Sequence, residues 1–126
     1  MELAQVAVNV KDLERATAFY RDVLGLTFLF AAPPGLAFFD AGGARIMLAR
    51  AERPEDDHPA SLLYYQVDDI ERAYEDVKAR GATFLGPPHI VHRDPAYDLW
   101  MAALRDPEGN TLQLMCPKPT GPRSPR

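Results

Sequence analysis

The chain has 126 residues, 47% hydrophobic and 25% charged, the content of one globular domain able to bury a core. A net charge of −4 and a pI near 5.3 offer no basic field to nucleic acid or an anionic membrane surface. Cys116 is the single cysteine, so no internal disulfide can form and a cytoplasmic location is the expectation; the alternating, acid-bearing start MELAQVAVNV is unlike a signal peptide or a membrane span.

Residues 3–10 alternate, with Val6, Val8 and Val10 on one face, and predict a half-buried strand. Asp12 then caps a helix whose apolar stripe is Leu13, Ala16, Tyr20, Val23 and Leu24, and Gly25 supplies a left-handed stop. Short strands follow over 27–31, 36–40 and 44–50, the last two joined by the turn Asp40-Ala41-Gly42-Gly43. Residues 51–60, AERPEDDHPA, are polar and unpatterned and read as a linker.

The second half begins the series again. LLYYQV predicts a strand, Asp69 caps a helix carrying Ile70, Ala73, Tyr74 and Val77, and Gly81 ends it. TFL recurs at 83–85 as at 27–29, and a proline-rich loop containing PPHIVHRDPAYD follows. Strands over about 98–105 and 110–116 flank the turn Asp106-Pro107-Glu108-Gly109, and PKPTGPRSPR, residues 117–126, reads as a flexible tail.

Val10, Asp12, Glu14, Arg15 and Ala16 recur as Val67, Asp69, Glu71, Arg72 and Ala73. Asp40, Gly43, Ile46 and Leu48 recur as Asp106, Gly109, Leu112 and Leu114. The chain therefore reads as one domain, 1–116, made of two strand-helix-strand-strand-strand units over about 1–50 and 61–116. Each unit has one sheet face covered by a helix and one open, and two open faces curled together make a cup.

The segments AQVAVNVKDLERATAFYRDVLGL, FFDAGGARIMLA, YYQVDDIERAYEDVKARGATFL and LRDPEGNTLQLM resemble the vicinal oxygen chelate superfamily, the group of glyoxalase I, extradiol dioxygenases, fosfomycin resistance enzymes and bleomycin resistance proteins. The resemblance implies an α+β fold of paired βαβββ units, eight strands forming an incompletely closed barrel, and commonly a homodimer.

Metal-using members of that family place one ligand on the first and one on the fourth strand of each unit. Matching the motifs puts these positions at Gln5, Met47, Leu62 and Gln113, and the repeat pairs them as Gln5 with Leu62 and Met47 with Gln113. A hard divalent ion wants imidazole and carboxylate donors, and none of the four is one. The expectation is no metal and no cofactor, which weighs against catalysis because the family's chemistry relies on a Lewis-acidic ion. His89 and His92 form a His-x-x-His spacing but sit between prolines and read as loop histidines. Cys116 lacks a partner base and reads as a packing residue.

Strand phase lines the cup with Gln5, Asn9, Met47, Leu62, Tyr64, Gln66, Gln113 and Met115, with Trp100 as a stacking surface at the rim. Neutral amides beside thioether and aromatic groups suit a small, partly aromatic ligand. The leading expectation is a metal-free, bleomycin-resistance-like binder, dimeric, with neither nucleic acid nor membrane as partner. The alternatives are a metal-dependent glyoxalase-like lyase or dioxygenase with a non-standard ligand set such as His89 and His92, and a dimeric interaction module with a vestigial cup.

Overall fold

The computed structural model describes residues 1–51 and 61–120; residues 52–60 of the linker, His58 among them, and 121–126 of the expected tail lie outside the described residues. In the first unit, β1 (Gln5–Asn9) runs parallel to β4 (Arg45–Ala49), and β3 (Leu36–Asp40) and β2 (Thr27–Ala32) complete a four-stranded sheet in the order β1-β4-β3-β2. The second unit repeats this with β5 (Leu63–Gln66), β9 (Thr111–Pro119), β8 (Tyr97–Arg105) and β6 (Thr83–Phe84), while β7 (His89–Arg93) pairs with the other half of β8. Nine segments thus fill eight strand positions, because Gly86-Pro87-Pro88 breaks the last outer strand into β6 and β7. The two sheets stay separate, with β1 and β5 as edges, so no barrel closes.

Both helices start as their sequences dictate. The Asp12 carboxylate accepts the Arg15 amide at 3.0 Å and the Asp69 carboxylate accepts that of Arg72 at 3.1 Å, satisfying one amide of each first turn. Helix α2 (Ile70–Ala79) is regular, buries Ile70 and Val77, and stops at Gly81 with φ +110°. Helix α1 (Leu13–Ala18) departs from expectation: from Phe19 to Val23 it widens into a π-turn, closed by the Leu24 amide on the Phe19 carbonyl at 2.9 Å. The added residue brings two consecutive aromatics inward, Phe19 at 8% and Tyr20 at 0% exposure. It also makes Asp12 to Gly25 one residue longer than Asp69 to Gly81.

Three other details of the sequence reading change. PPHIVHRDPAYD holds a strand rather than only a loop, since the nine-residue β8 outruns β6 and its first half pairs with β7. Strand β9 runs to Pro119, three residues into the expected tail, because Tyr97, Asp98 and Leu99 offer it partners. In the turns, register sets Asp40 opposite Arg45 but Arg105 opposite Thr111, so Asp40 corresponds structurally to Arg105 and Ala41 to Asp106. The second turn is one residue longer, which the sequence match of Asp40 to Asp106 concealed.

The helix-covered faces of both sheets feed one hydrophobic core. Val8, Ile46 and Leu48 come from the first sheet, Leu104, Leu112 and Leu114 from the second, and Tyr20, Ile70 and Val77 from the helices. Among the described residues, no helix is long and apolar enough to cross a membrane.

Candidate functional site

Opposite the helices, each sheet presents an open face. On the first, Gln5, Ala7 and Asn9 of β1 alternate away from buried Val8, and β4 sets Met47 opposite Ala7. The Gln5 amide donates to the Met47 sulfur at 3.6 Å, so amide and thioether satisfy each other. Phe38 lies opposite Met47 and is only 8% exposed although it faces outward. Phe30 covers it, ring on ring at 4.5 Å and 26°, and the Arg45 guanidinium lies 5.2 Å from its centroid.

A bulge between Phe28 and Phe30 makes this possible. Plain alternation would put both on one face, but Phe28 packs on Phe39 among the core residues at 5.5 Å while Phe30 stacks on the open side. The sequence reading missed Phe30 and Phe38, and a bulge at Leu29 has no signature in FLF that would have found them.

On the second sheet, Tyr64 stands opposite Gln113 and Gln66 opposite Met115. Leu62 precedes β5 and is 53% exposed, and Tyr64 is 52% exposed. Met101 lies opposite Met115 and Ala103 opposite Gln113; both join this face and were missed, although alternation along 98–105 places them there. Trp100 goes the other way. It shares its face with buried Ala102 and Leu104, lies opposite buried Cys116 and packs against the core, with the Lys118 ammonium 4.4 Å from its ring centroid. A rim role for Trp100 is corrected by strand parity.

His89 stands opposite Met101 and His92 opposite Leu99, because a bulge between Ile90 and His92 absorbs the odd spacing and sets both imidazoles on the open side. The His89 Nδ1 is 3.2 Å from the Pro87 carbonyl. Among the described residues, no three His, Cys, Asp or Glu side chains gather where a metal ion could be held. The family's ligand positions do not fit a hard cation either: Leu62 has no donor atom, and Gln5 and Met47 engage each other.

The units also meet through a polar clip. Asp106, 5% exposed, accepts the Tyr20 hydroxyl at 2.8 Å, the amides of Glu108 and Asn110 at 2.9 Å each, and the Asn110 side chain at 2.9 Å. Burial, and then the Asp106 carboxylate, push the Tyr20 phenol well above its ordinary value. Glu108 accepts the amides of Lys11 and Asp12, at 2.6 and 3.0 Å, and the Arg15 guanidinium at 3.1 Å. Burial alone would raise the Glu108 carboxyl, but these donors outweigh it and hold it below its usual range. Nearby, the Tyr65 hydroxyl is buried without a hydrogen-bond partner among the described residues, and burial followed by Asp106 raises its phenol.

Elsewhere the contact between the units is hollow. A cavity of about 720 Å³ lies between the β3–β4 turn, the end of the first helix, β5 and the outer turns of α2, and Tyr64 and Gln66 border it.

The sequence profile of the Glyoxalase/Bleomycin resistance protein/Dioxygenase superfamily matches residues 2–114. The uncharacterized protein YraH of Bacillus subtilis (strain 168) is 26% identical over 127 residues, covering 90% of this chain and 97% of its own. The crystal structure of a superfamily member from Sphaerobacter thermophilus DSM 20745 superposes with a TM-score of 0.74 at 22% identity, over 92% of this chain and 97% of that one. That of lactoylglutathione lyase from Agrobacterium tumefaciens gives a TM-score of 0.68 at 26% identity, over 91% and 92%. Two sheets of repeated units left unclosed, with a profile match along nearly the whole chain, place it: the chain belongs to the glyoxalase/bleomycin resistance protein/dioxygenase superfamily.

Proposed function

We propose that this chain binds a small, partly aromatic organic molecule on the open faces of its sheets, without a metal, with two copies assembling to complete the cup. The observation that carries this reading is the state of the family's ligand positions, where the Gln5 amide donates to the Met47 sulfur and Leu62 and Gln113 complete the set. Around them Phe30, backed by Phe38, with Met101, Met115 and Tyr64 supply polarizable and aromatic contact, and the amides of Gln66 and Gln113 can fix orientation.

A second reading has one observation in its favour. The β7 bulge sets His89 and His92 on the open face, so two imidazoles are available to a metal-dependent lyase or dioxygenase that draws its remaining ligands from substrate or water. Lactoylglutathione lyase is the activity named for one structural neighbour.

Metal analysis separates the two. The binder reading expects less than a tenth of an equivalent of divalent ion after purification without chelator, and a thermal shift of several degrees with a matching aromatic compound. A ligand at a hundredfold its dissociation constant adds about 2.7 kcal/mol. One tightly held equivalent, lost in His89→Ala or His92→Ala, would overturn that reading. A dimer that no compound stabilises favours an interaction module with a vestigial cup.

A further inference from the structure

Internal repetition allows each side of the contact between the units to be compared with the other. Val8 pairs with Leu48 as Tyr65 pairs with Leu114, and Phe39 with Ile46 as Leu104 with Leu112, so equivalent positions follow from register. On one side the turn 106–110 meets the first helix, and the space between them is filled by Tyr20, Asp106 and the groups hydrogen-bonded to them. On the other side the turn 41–44 meets α2. There Val77 stands for Tyr20, Ala41 for Asp106 and Ala44 for Asn110, with Gly42 and Gly43 between. Each of these three is smaller than its counterpart, although Tyr65 stands where Val8 does on the other side, and all three line the cavity of about 720 Å³. That is within the range of about 300–1,000 Å³ usual for small-molecule sites.

The chemistry of the walls narrows the occupant. Leu24, Leu26, Ile46, Val77 and Leu114 make the lining largely apolar, and Tyr64 and Tyr65 are part of it. Two acidic residues, Asp40 and Asp76, are among its lining residues. No described residue bonds to the Asp40 carboxylate, and Asp76 has only the well-exposed Arg72 at 3.9 Å. The one cation among the described lining residues, Arg80, is committed elsewhere. Its Nε donates to the Val23 carbonyl at 2.9 Å, and its terminal nitrogen lies against Gly25.

We propose that this cavity binds an arylalkylamine, its ring in the space corresponding to the Tyr20 phenol and its ammonium between Asp40 and Asp76. The site shares Tyr64 and Gln66 with the open face of the second sheet but lies apart from Gln5, Met47 and Gln113, and it differs in charge: two carboxylates line it, whereas the Arg45 guanidinium lies over Phe38 on the open side. Aromatic walls favour the ring and, through cation–π contact, the ammonium.

Phenethylamine, titrated into ¹⁵N-labelled full-length protein at low salt, tests this, with phenylacetate as a probe of similar shape and opposite charge. The expected result is saturable amide shifts in 41–44 and 73–80, with phenylacetate at least tenfold weaker. Asp40→Asn is expected to weaken phenethylamine severalfold, and Val77→Tyr, which puts a phenol into the cavity, to remove the shifts. The proposal is overturned by equal binding of phenylacetate, by shifts confined to Gln5, Met47 and Gln113 on the open faces, or by no saturable response. Shifts that persist in Val77→Tyr, or that follow protein concentration as a second copy covers the cavity, overturn it too. Should Val77→Tyr fail to fold, the wild-type charge comparison and Asp40→Asn decide. Reporter amides differ between cavity and open faces, so either site can fail alone.

Discussion

The turn 106–110 grips the first helix with side chains: Asp106 takes the Tyr20 hydroxyl at 2.8 Å, and Glu108 takes two backbone amides at the helix start. The equivalent turn 41–44 offers α2 only alanines and glycines, held locally by the Ala41 amide on the Ala44 carbonyl at 2.8 Å. One backbone plan, used twice, gives a sealed contact in one place and space in the other. The difference shows that a duplicated unit need not divide its tasks evenly. The buried hydrogen bonds that join the halves gather at one contact, where Asp106 is paired with Tyr20 and Asn110, and the other contact carries none of them.

Truncation breaks the comparison most directly. Tyr20→Ala removes a fully buried ring and leaves the Asp106 carboxylate short of a donor, so it is expected to lower unfolding free energy by about 4 kcal/mol. Val77→Ala, at the equivalent position beside existing space, removes two methyl groups and should cost about 1.5 kcal/mol. Urea denaturation of both measures the asymmetry, and equal losses would mean the two contacts bear load alike.

Tyr20→Phe isolates the hydroxyl. A hydrogen bond to a buried carboxylate sets the expected loss at about 2 kcal/mol. The raised phenol also has a signature in pH. A group whose folded value lies above its unfolded one stabilises fully below the unfolded value, about 10 for tyrosine, and loses that stabilisation as pH rises beyond it. Wild type should therefore weaken between about pH 9 and 11 more steeply than Tyr20→Phe, whatever the remaining tyrosines contribute to both.

How far the sequence foretold this differs from place to place. Helix caps at Asp12 and Asp69 and the strands 36–40 and 45–49 are local: short-range alternation and acid-before-apolar patterns carry them, and the structure repeats them within a residue. The repeat and the family resemblance both point to Gln5, Met47, Leu62 and Gln113 as the inward positions, a reading that the proposed metal-free binding puts to the test. What was not legible depends on register. The bulges after Phe28 and Ile90 move Phe30, His89 and His92 onto the open faces without altering composition, and the single-residue difference between the turns hid that Asp106 faces Ala41 rather than Asp40 in the repeat. The π-turn at Phe19 answers the need to bury two adjacent aromatics, a tertiary demand.

Acid sharpens the contrast at the turns themselves. Glu108 is held below the ordinary carboxylate range, so its contribution is complete above about pH 5 and is lost as pH falls through about 4.3 toward its folded value. Glu108→Gln keeps the shape and one acceptor oxygen but loses the charge. It is expected to cost about 1 kcal/mol at neutral pH and to flatten the stability profile between pH 5 and 3. A profile as steep as that of wild type would assign the acid response to other carboxylates.

The smallest effect falls on the caps. Asp12 and Asp69 each accept an amide three residues on, at 3.0 and 3.1 Å, so a change to Ala removes the same bond from each helix. The helices differ in what remains. At the first, Glu108 still holds the amides of positions 11 and 12 and keeps a negative charge against the positive end of the helix dipole. At α2 the glycines of turn 41–44 supply no such group, and the acid of its own first turn, Glu71, is tied to Lys118. Asp69→Ala is therefore expected to cost about 1 kcal/mol and Asp12→Ala about half that. Amide hydrogen exchange in the first turn of each helix reads this locally, and protection should drop further at Arg72 than at Arg15. Equal loss at both would mean that the Glu108 grip joins the units without steadying the helix it touches.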